Sequence, residues 1–412
     1  MSTETNLPNT PAANRRDFLR WSAAASALPF AAPAIGSEIV SPGEVKRYVK
    51  LGRTGHEISD ISFGSSSLRP GQENLVHLAM DRGINYFDTA ESYTRGQSET
   101  VIGRALKGKR DQVVITSKIG TKADGKADAF MRRLEGSLRR LQTDYVDVYM
   151  NHAVNDVDVV ANPEWHAFVA KAKEQGKMRY SGISGHAGRL IECLDYAFDN
   201  DLVDVVLVAH NFGQDPKFYE GLTKDFDFVA NQQSLPRVLA KGKAKNVGIT
   251  VMKTLRGGRL NDMRPYETGD ATFAQAALRW VLSNPHVDAA VITMNNEQKI
   301  EEYLGASGWR EVAAGDRELL ERYAHLNRES YCVNVCNDCE GACPYGVPIA
   351  EVLRTRMYAV DYQDTAQAKE EYALLETNAA ACLSCSGEPC AKACTHGIPI
   401  DRLCGPTHRL LA

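Results

Sequence analysis

The first 331 residues hold a single cysteine, Cys193; the other nine of the ten fall between residues 332 and 404. That distribution excludes a disulfide scaffold running through the whole chain. No stretch reaches the ~18–20 uninterrupted, strongly apolar residues that a membrane-spanning helix needs, so a stable transmembrane span is not expected. The formal net charge is −4, and no basic excess points to nucleic acid. What is present is a chain of 412 residues, 43% hydrophobic and 24% charged. That suffices for a sizeable core beneath a soluble surface, and for two or three domains.

Residues 1–34 read as an address rather than as part of the fold. Asn14-Arg15-Arg16-Asp17-Phe18-Leu19-Arg20 has the form of a twin-arginine signal, and a run of small and apolar residues from Trp21 to Ala34 follows it. Ala32-Pro33-Ala34 fits a cleavage box. A short amphipathic helix or a retained anchor is the plainer alternative. The signal resembles those of the bacterial Tat pathway, which implies passage through the Tat translocon as a folded protein, to the periplasm.

From Tyr48 to about Gly308, within a domain set at residues 46–310, short apolar runs alternate with helical patterns. Ile58–Phe63, Ile84–Phe87, Val113–Ser117, Tyr145–Met150, Tyr180–Ile183, Val203–Val208, Val247–Met252 and Ala289–Ile292 read as eight strands. Phe130, Leu134, Leu138 and Leu141 share one face of a helix, and Phe273 to Leu282 forms another, stopped by Pro285. Strands buried on both faces explain the continuous apolar runs. The expected fold class is α/β, a (β/α)8 TIM barrel followed by a small, mainly helical module.

Three of these strand ends carry polar residues. Asp88 and Tyr93 follow the second strand, Lys118 ends the third and His152 ends the fourth. Barrels of this type present catalytic side chains from the carboxyl ends of their strands. A tyrosine hydroxyl titrates near ~10; a neighbouring ammonium is expected to lower that value, and a carboxylate to keep the ammonium charged. A neutral imidazole orients a carbonyl or shares its proton. Each residue alone has a structural explanation: a strand-end cap, a surface tyrosine, a solvated lysine, a core histidine. Four together on successive strand ends point to proton chemistry.

The pieces Phe87-Asp88-Thr89-Ala90-Glu91-Ser92-Tyr93, Val113 to Lys118 and Asp144 to His152 resemble the aldo-keto reductase family. The resemblance implies a catalytic tetrad of Asp88, Tyr93, Lys118 and His152, and hydride exchange between a nicotinamide nucleotide and a carbonyl or alcohol. It also implies cofactor contacts at Ser184, Asn211, Lys253, Lys299 and Glu302. Several family positions differ. Gly185-His186 follows Ser184 where the family has asparagine, Leu207 stands for the usual glutamine, and His210 for the usual tyrosine. His186 either takes over an amide contact or faces a loop. The choice between NADP and NAD stays open.

Asp316 to Leu326 reads as a linking helix within residues 311–330, and a new module spans 331–412. Its thiols form two clusters, Cys332, Cys336, Cys339, Cys343 and then Cys382, Cys385, Cys390, Cys394. Each ends in the same phrase, Pro344-Tyr345-Gly346-Val347-Pro348-Ile349 and Thr395-His396-Gly397-Ile398-Pro399-Ile400. This is an internal repeat. Four thiolates at such spacing suit a [4Fe–4S] cubane; zinc and disulfides are the competing readings. The module resembles the helical dicluster ferredoxins, which implies two 4Fe–4S clusters on these eight cysteines and single-electron exchange with a redox partner protein. Cys404 and Cys193 read as structural thiols.

The expected activity is that of an exported oxidoreductase acting on a small carbonyl or alcohol, possibly sugar-like. Two other classes are kept: an electron-transfer protein that uses the barrel as a docking scaffold, and an ordinary reductase whose clusters are structural. No flavin motif is visible to convert hydride into single electrons.

Overall fold

The computed structural model describes residues 43–186, 189–212, 234–255, 263–267, 269–326, 338–360, 364–395 and 397–412. The twin-arginine segment, Cys332, Cys336 and His396 lie outside them. A short antiparallel hairpin, β1 (Tyr48–Lys50) and β2 (Glu57–Ser59), precedes eight parallel strands. These are β3 (Ile61–Gly64), β4 (Tyr86–Asp88), β5 (Val114–Ile119), β6 (Val146–Asn151), β7 (Met178–Gly185), β8 (Val205–Ala209), β9 (Gly248–Met252) and β10 (Ala289–Thr293). They close in sequence order, with β10 pairing β3. The expected strand positions are met within about two residues in seven cases. The first is corrected: Ile58–Phe63 is not one strand. The chain turns at Asp60, whose carboxylate accepts hydrogen bonds from Ser307 Oγ (2.7 Å) and Gly308 N (2.9 Å).

Two apolar layers hold the barrel. Inside, Tyr86, Val114, Val148, Met150, Val205, Leu207, Ala289 and Val291 pack with Leu51 and Ile58 of the hairpin region. The hairpin thus plugs the amino-terminal end, where the Tyr180 hydroxyl also donates to Thr54 O at 2.6 Å. Outside, the strands meet a helical shell: α1 (Glu73–Asp81), α2 (Gln97–Ala105), α3 (Ala127–Leu141), α4 (Val157–Ala161), α5 (Pro163–Glu174), α6 (Leu190–Asp199), α7 (Leu235–Ala244), α8 (Phe273–Leu282) and α9 (Glu297–Leu304). Phe130, Leu134, Leu138 and Leu141 all point into this layer, as their spacing predicts.

The helix expected as a linker, α10 (Ala314–Leu326), is part of that shell. Tyr323 stacks on Phe273 of α8 with ring centroids 4.1 Å apart, and Arg279 pairs with Asp316 at 3.1 Å. Both partners of the ion pair are almost fully buried, so removing either would strand a charge.

The cysteine-rich tail has its own small core. Val347, Ile349, Val352, Leu353, Ala368, Tyr372, Ile398, Ile400 and Leu411 gather from α11 (Ile349–Val360), α12 (Thr365–Tyr372) and α14 (Ile400–Leu411), with the short α13 (Pro389–Ala393) beside them. The sequence repeat is a structural repeat. After Cys343 and after Cys394 the chain makes the same turn, closed by Gly346 N to Cys343 O and Gly397 N to Cys394 O, both 3.2 Å. The two glycines adopt φ of 62° and 66°, a left-handed geometry that costs other residues more. Val347 and Ile398 are buried next, and Ile349 and Ile400 open the helices. Among the described residues no helix is long and apolar enough to cross a membrane.

Candidate active site

The carboxyl ends of the strands bring the four expected residues together. Asp88 closes β4, Lys118 lies in β5, and His152 directly follows β6. Tyr93 comes from the turn after β4, where Thr94 and Arg95 have φ of 47° and 56°. The Lys118 ammonium is fully buried and donates to Asp88 Oδ1 at 2.6 Å and Thr89 O at 2.7 Å. It stands 3.5 Å from the Tyr93 hydroxyl and 4.9 Å from the centre of its ring. The Tyr93 and His152 rings meet edge to face at 5.7 Å. Asp88 Oδ2 has no hydrogen-bond partner among the described residues.

The electrostatics correct one expectation. Burial pushes the Tyr93 phenol well above its ordinary value, and Asp88, Tyr358 and Glu371 push the same way. Burial raises the Asp88 carboxyl and lowers the Lys118 ammonium, each opposed by the other's charge. His152 is held neutral, with a pKa of about 3, by burial and by Lys118. A neutral imidazole beside a protonated phenol can hold a carbonyl oxygen and pass it a proton.

The five residues expected at the cofactor are spread round the mouth. Ser184 ends β7, but its hydroxyl already accepts from Ala153 N at 3.2 Å. Asn211 lies just past β8. Leu207 is sealed inside the barrel and His210 turns outward onto Trp280 at 5.1 Å, so neither reaches the mouth. Lys253 follows β9 with φ 58°, and its ammonium has no hydrogen-bond partner among the described residues. Lys299 and Glu302 lie on α9, which Asn296 caps by accepting from Lys299 N at 2.9 Å. A lysine and a capped helix start after the seventh and eighth barrel strands are features that attract phosphate.

Sequence reasoning missed the contribution of the tail to this mouth. Lys253 is lowered to about 8 by burial and by Arg354, against Glu351 and Glu371. His186 is held well below its usual range by Lys253, burial, Arg354 and His152. Arg354 and Tyr358 belong to α11 and Glu371 to α12; no local pattern announces where such helices dock.

In the tail, Cys343, Cys382, Cys385 and Cys390 line one cavity of about 120 Å³. Burial raises the Cys382 thiol, and Cys343, Cys390 and Cys385 raise it further. Cys404, which is buried, hydrogen-bonds Cys382, in keeping with a structural thiol. Thr395, next to Cys394, donates to Asp338, next to Cys339, at 2.8 Å. The eight-thiol ligand set is not seen whole. Cys332 and Cys336 lie outside the described residues, and among the described ones no three His, Cys, Asp or Glu side chains are placed to hold one metal ion.

Residues 61–271 match the model of the Aldo/keto reductase family. The chain is 26% identical over 309 residues to the L-galactose dehydrogenase of Arabidopsis thaliana, covering 66% of this chain and 91% of that protein. It is 24% identical over 305 residues to the uncharacterized oxidoreductase YqkF of Bacillus subtilis, covering 68% and 97%. The solved structure of an aldo-keto reductase from Klebsiella pneumoniae in complex with NADPH superposes with a TM-score of 0.51 at 26% identity, covering 69% and 95%. With half its length on the family model, a closed eight-stranded barrel and a buried lysine–carboxylate pair beneath a tyrosine, the chain belongs to the aldo/keto reductase family and is an oxidoreductase of that type.

Proposed function

We propose that the protein interconverts a small, polar carbonyl compound and its alcohol, with a nicotinamide nucleotide bound across the barrel mouth. The observation that carries this reading is the Lys118 ammonium, buried between Asp88 at 2.6 Å and the Tyr93 hydroxyl at 3.5 Å. The nucleotide, when bound, would supply or accept hydride. Tyr93 holds the proton that the substrate oxygen gains on reduction or loses on oxidation. Lys118 stabilises the phenolate left behind, and Asp88 holds Lys118 in place. His152, neutral, offers one hydrogen bond to that oxygen. Lys253, Lys299 and the start of α9 fit the phosphates, with Ser184, Asn211 and Glu302 as further contacts.

The tail is read as a two-cluster 4Fe–4S module, which would supply single electrons. Cys343 of the first motif shares a cavity with Cys382, Cys385 and Cys390 of the second. The Thr395–Asp338 bond joins the residue after Cys394 to the residue before Cys339. Both fit crossed ligation, in which each motif's last cysteine serves the other cluster. A cubane gives each thiolate its own iron, so the thiols need not converge on one ion. The twin-arginine residues support export to the periplasm by the Tat translocon. A second reading, an electron-transfer protein with the barrel as scaffold for a redox partner, is favoured by the loss of a nicotinamide contact at Leu207.

Protein recovered from the periplasm without oxygen tests all of this through its iron, sulfide and released nucleotide. About eight irons with stoichiometric nucleotide is the expected result. Irons without nucleotide, and no binding on titration, favour the scaffold; zinc in place of iron overturns the cluster reading. Retention in the cytoplasm after Arg15→Lys and Arg16→Lys checks the address.

A further inference from the structure

The tail reaches the catalytic mouth by a continuous set of contacts. Thr94, next to Tyr93, donates to Leu68 O at 2.9 Å. The neighbouring Arg69 forks onto both carboxylate oxygens of Asp364, each at 3.3 Å. Asp364 N in turn donates to Tyr358 O at 2.9 Å. On α11, Arg354 donates to Glu351 (2.6 Å), to the Tyr358 hydroxyl (3.0 Å) and to Glu371 of α12 (3.3 Å). The guanidinium is thereby fixed, with its side chain only 20% exposed. Mouth residues from three different strand ends lie within the field of this one cluster: Tyr93 feels Tyr358 and Glu371, Lys253 feels Arg354, Glu351 and Glu371, and His186 feels Arg354.

We propose that Arg354 and Tyr358 roof the substrate site, so that the cysteine-rich module selects polyhydroxylated carbonyl or alcohol substrates for the barrel. The inference rests on the proposed hydride chemistry at Tyr93 and deepens it. Tyr93, His186 and Lys253 of the mouth are the groups electrostatically coupled to Arg354 and Tyr358 of the module, with His152 edge to face against Tyr93. All of them can donate or accept hydrogen bonds. A ligand rich in hydroxyl groups satisfies such walls, whereas an apolar aldehyde leaves buried donors and acceptors unpaired. Sites built in this way discriminate strongly against the ligand that lacks the partners. Arg354 acts as a binding residue whose orientation is set in advance by Glu351, Tyr358 and Glu371.

The test compares wild type, Arg354→Met and Tyr358→Phe on L-galactose and on 4-nitrobenzaldehyde. Arg354→Met is expected to lower kcat/KM for the sugar at least tenfold, mostly through KM, and Tyr358→Phe three- to tenfold. The aldehyde should fall less than the sugar in both, so that the sugar-to-aldehyde ratio drops. If Arg354→Met also loosens α11 against α12, both substrates fall together in that variant. Tyr358→Phe then decides, because it removes one hydroxyl and keeps the packing: an unchanged sugar-to-aldehyde ratio there overturns the proposal. Failure of the underlying chemistry looks different, as wild-type turnover that survives Tyr93→Phe.

Discussion

The barrel and the tail hold their reactive groups in opposite ways. In the barrel the groups come from the ends of three neighbouring strands, and a closed parallel ladder sets their positions to within the pleat. Lys118 is fully buried with its carboxylate already in contact. In the tail the thiols sit on turns and short helices, and Cys343, Cys382, Cys385 and Cys390 are only partly buried round a cavity. No sheet fixes them. A site ordered by packing is complete before any ligand arrives, whereas one built of turns round a cavity gains its rigidity from whatever fills it.

The largest expected effect belongs to the ordered site. Tyr93→Phe should cost about 10²–10⁴ in kcat, the usual worth of a positioned proton donor. Nucleotide affinity and melting temperature should stay close to wild type. A variant within threefold of wild-type turnover would mean that the preformed site is not the reacting one. The complementary change is Cys343→Ser. On the crossed reading it removes the same cluster as Cys382→Ser, seen as loss of about half the iron and of one electron paramagnetic resonance signal, while Cys339→Ser removes the other. The tail transition should melt earlier and the barrel transition stay put. If Cys343→Ser instead matches Cys339→Ser, the motifs are ligated in series.

The smallest effect sharpens the border between the two regions. Lys253 titrates near 8 because burial and Arg354 both disfavour its charge. It is charged below that value and neutral above it. Affinity for the anionic nucleotide should therefore fall severalfold as pH rises from 7 to 9. Lys253→Met should bind more weakly and show no such slope, as titration calorimetry at the two pH values would reveal. An unchanged slope in the variant would place the phosphates elsewhere.

The barrel was largely legible because parallel strands covered on both faces write themselves as unbroken apolar runs, such as Val113 to Ser117. Reading failed where burial and polarity part company. Asp60 is buried and polar, so Ile58 to Phe63 looks like one strand when it is two. The α10 helix reads as a linker because its contacts, Tyr323 on Phe273 and Asp316 on Arg279, join residues far apart in sequence. The tetrad was legible as a set, since strand ends have a fixed meaning in this fold. Its electrostatics were not: a lysine beside a tyrosine predicts a lowered phenol, but burial and the Asp88 charge reverse the direction. Arg354 and Tyr358 gave no signal at all, because helix docking is decided by tertiary contacts.

Asp364 has two partners that are never listed together by local rules. Its carboxylate accepts from Gln367 N, capping α12, and receives Arg69 from the loop beside the mouth. One oxygen, Oδ1, serves both. The geometry that Arg69 grips exists only once the first turn of α12 has formed, so docking doubles as a check that the tail has folded. A barrel paired with an unfolded tail would lack this latch, and its mouth would stay open to water.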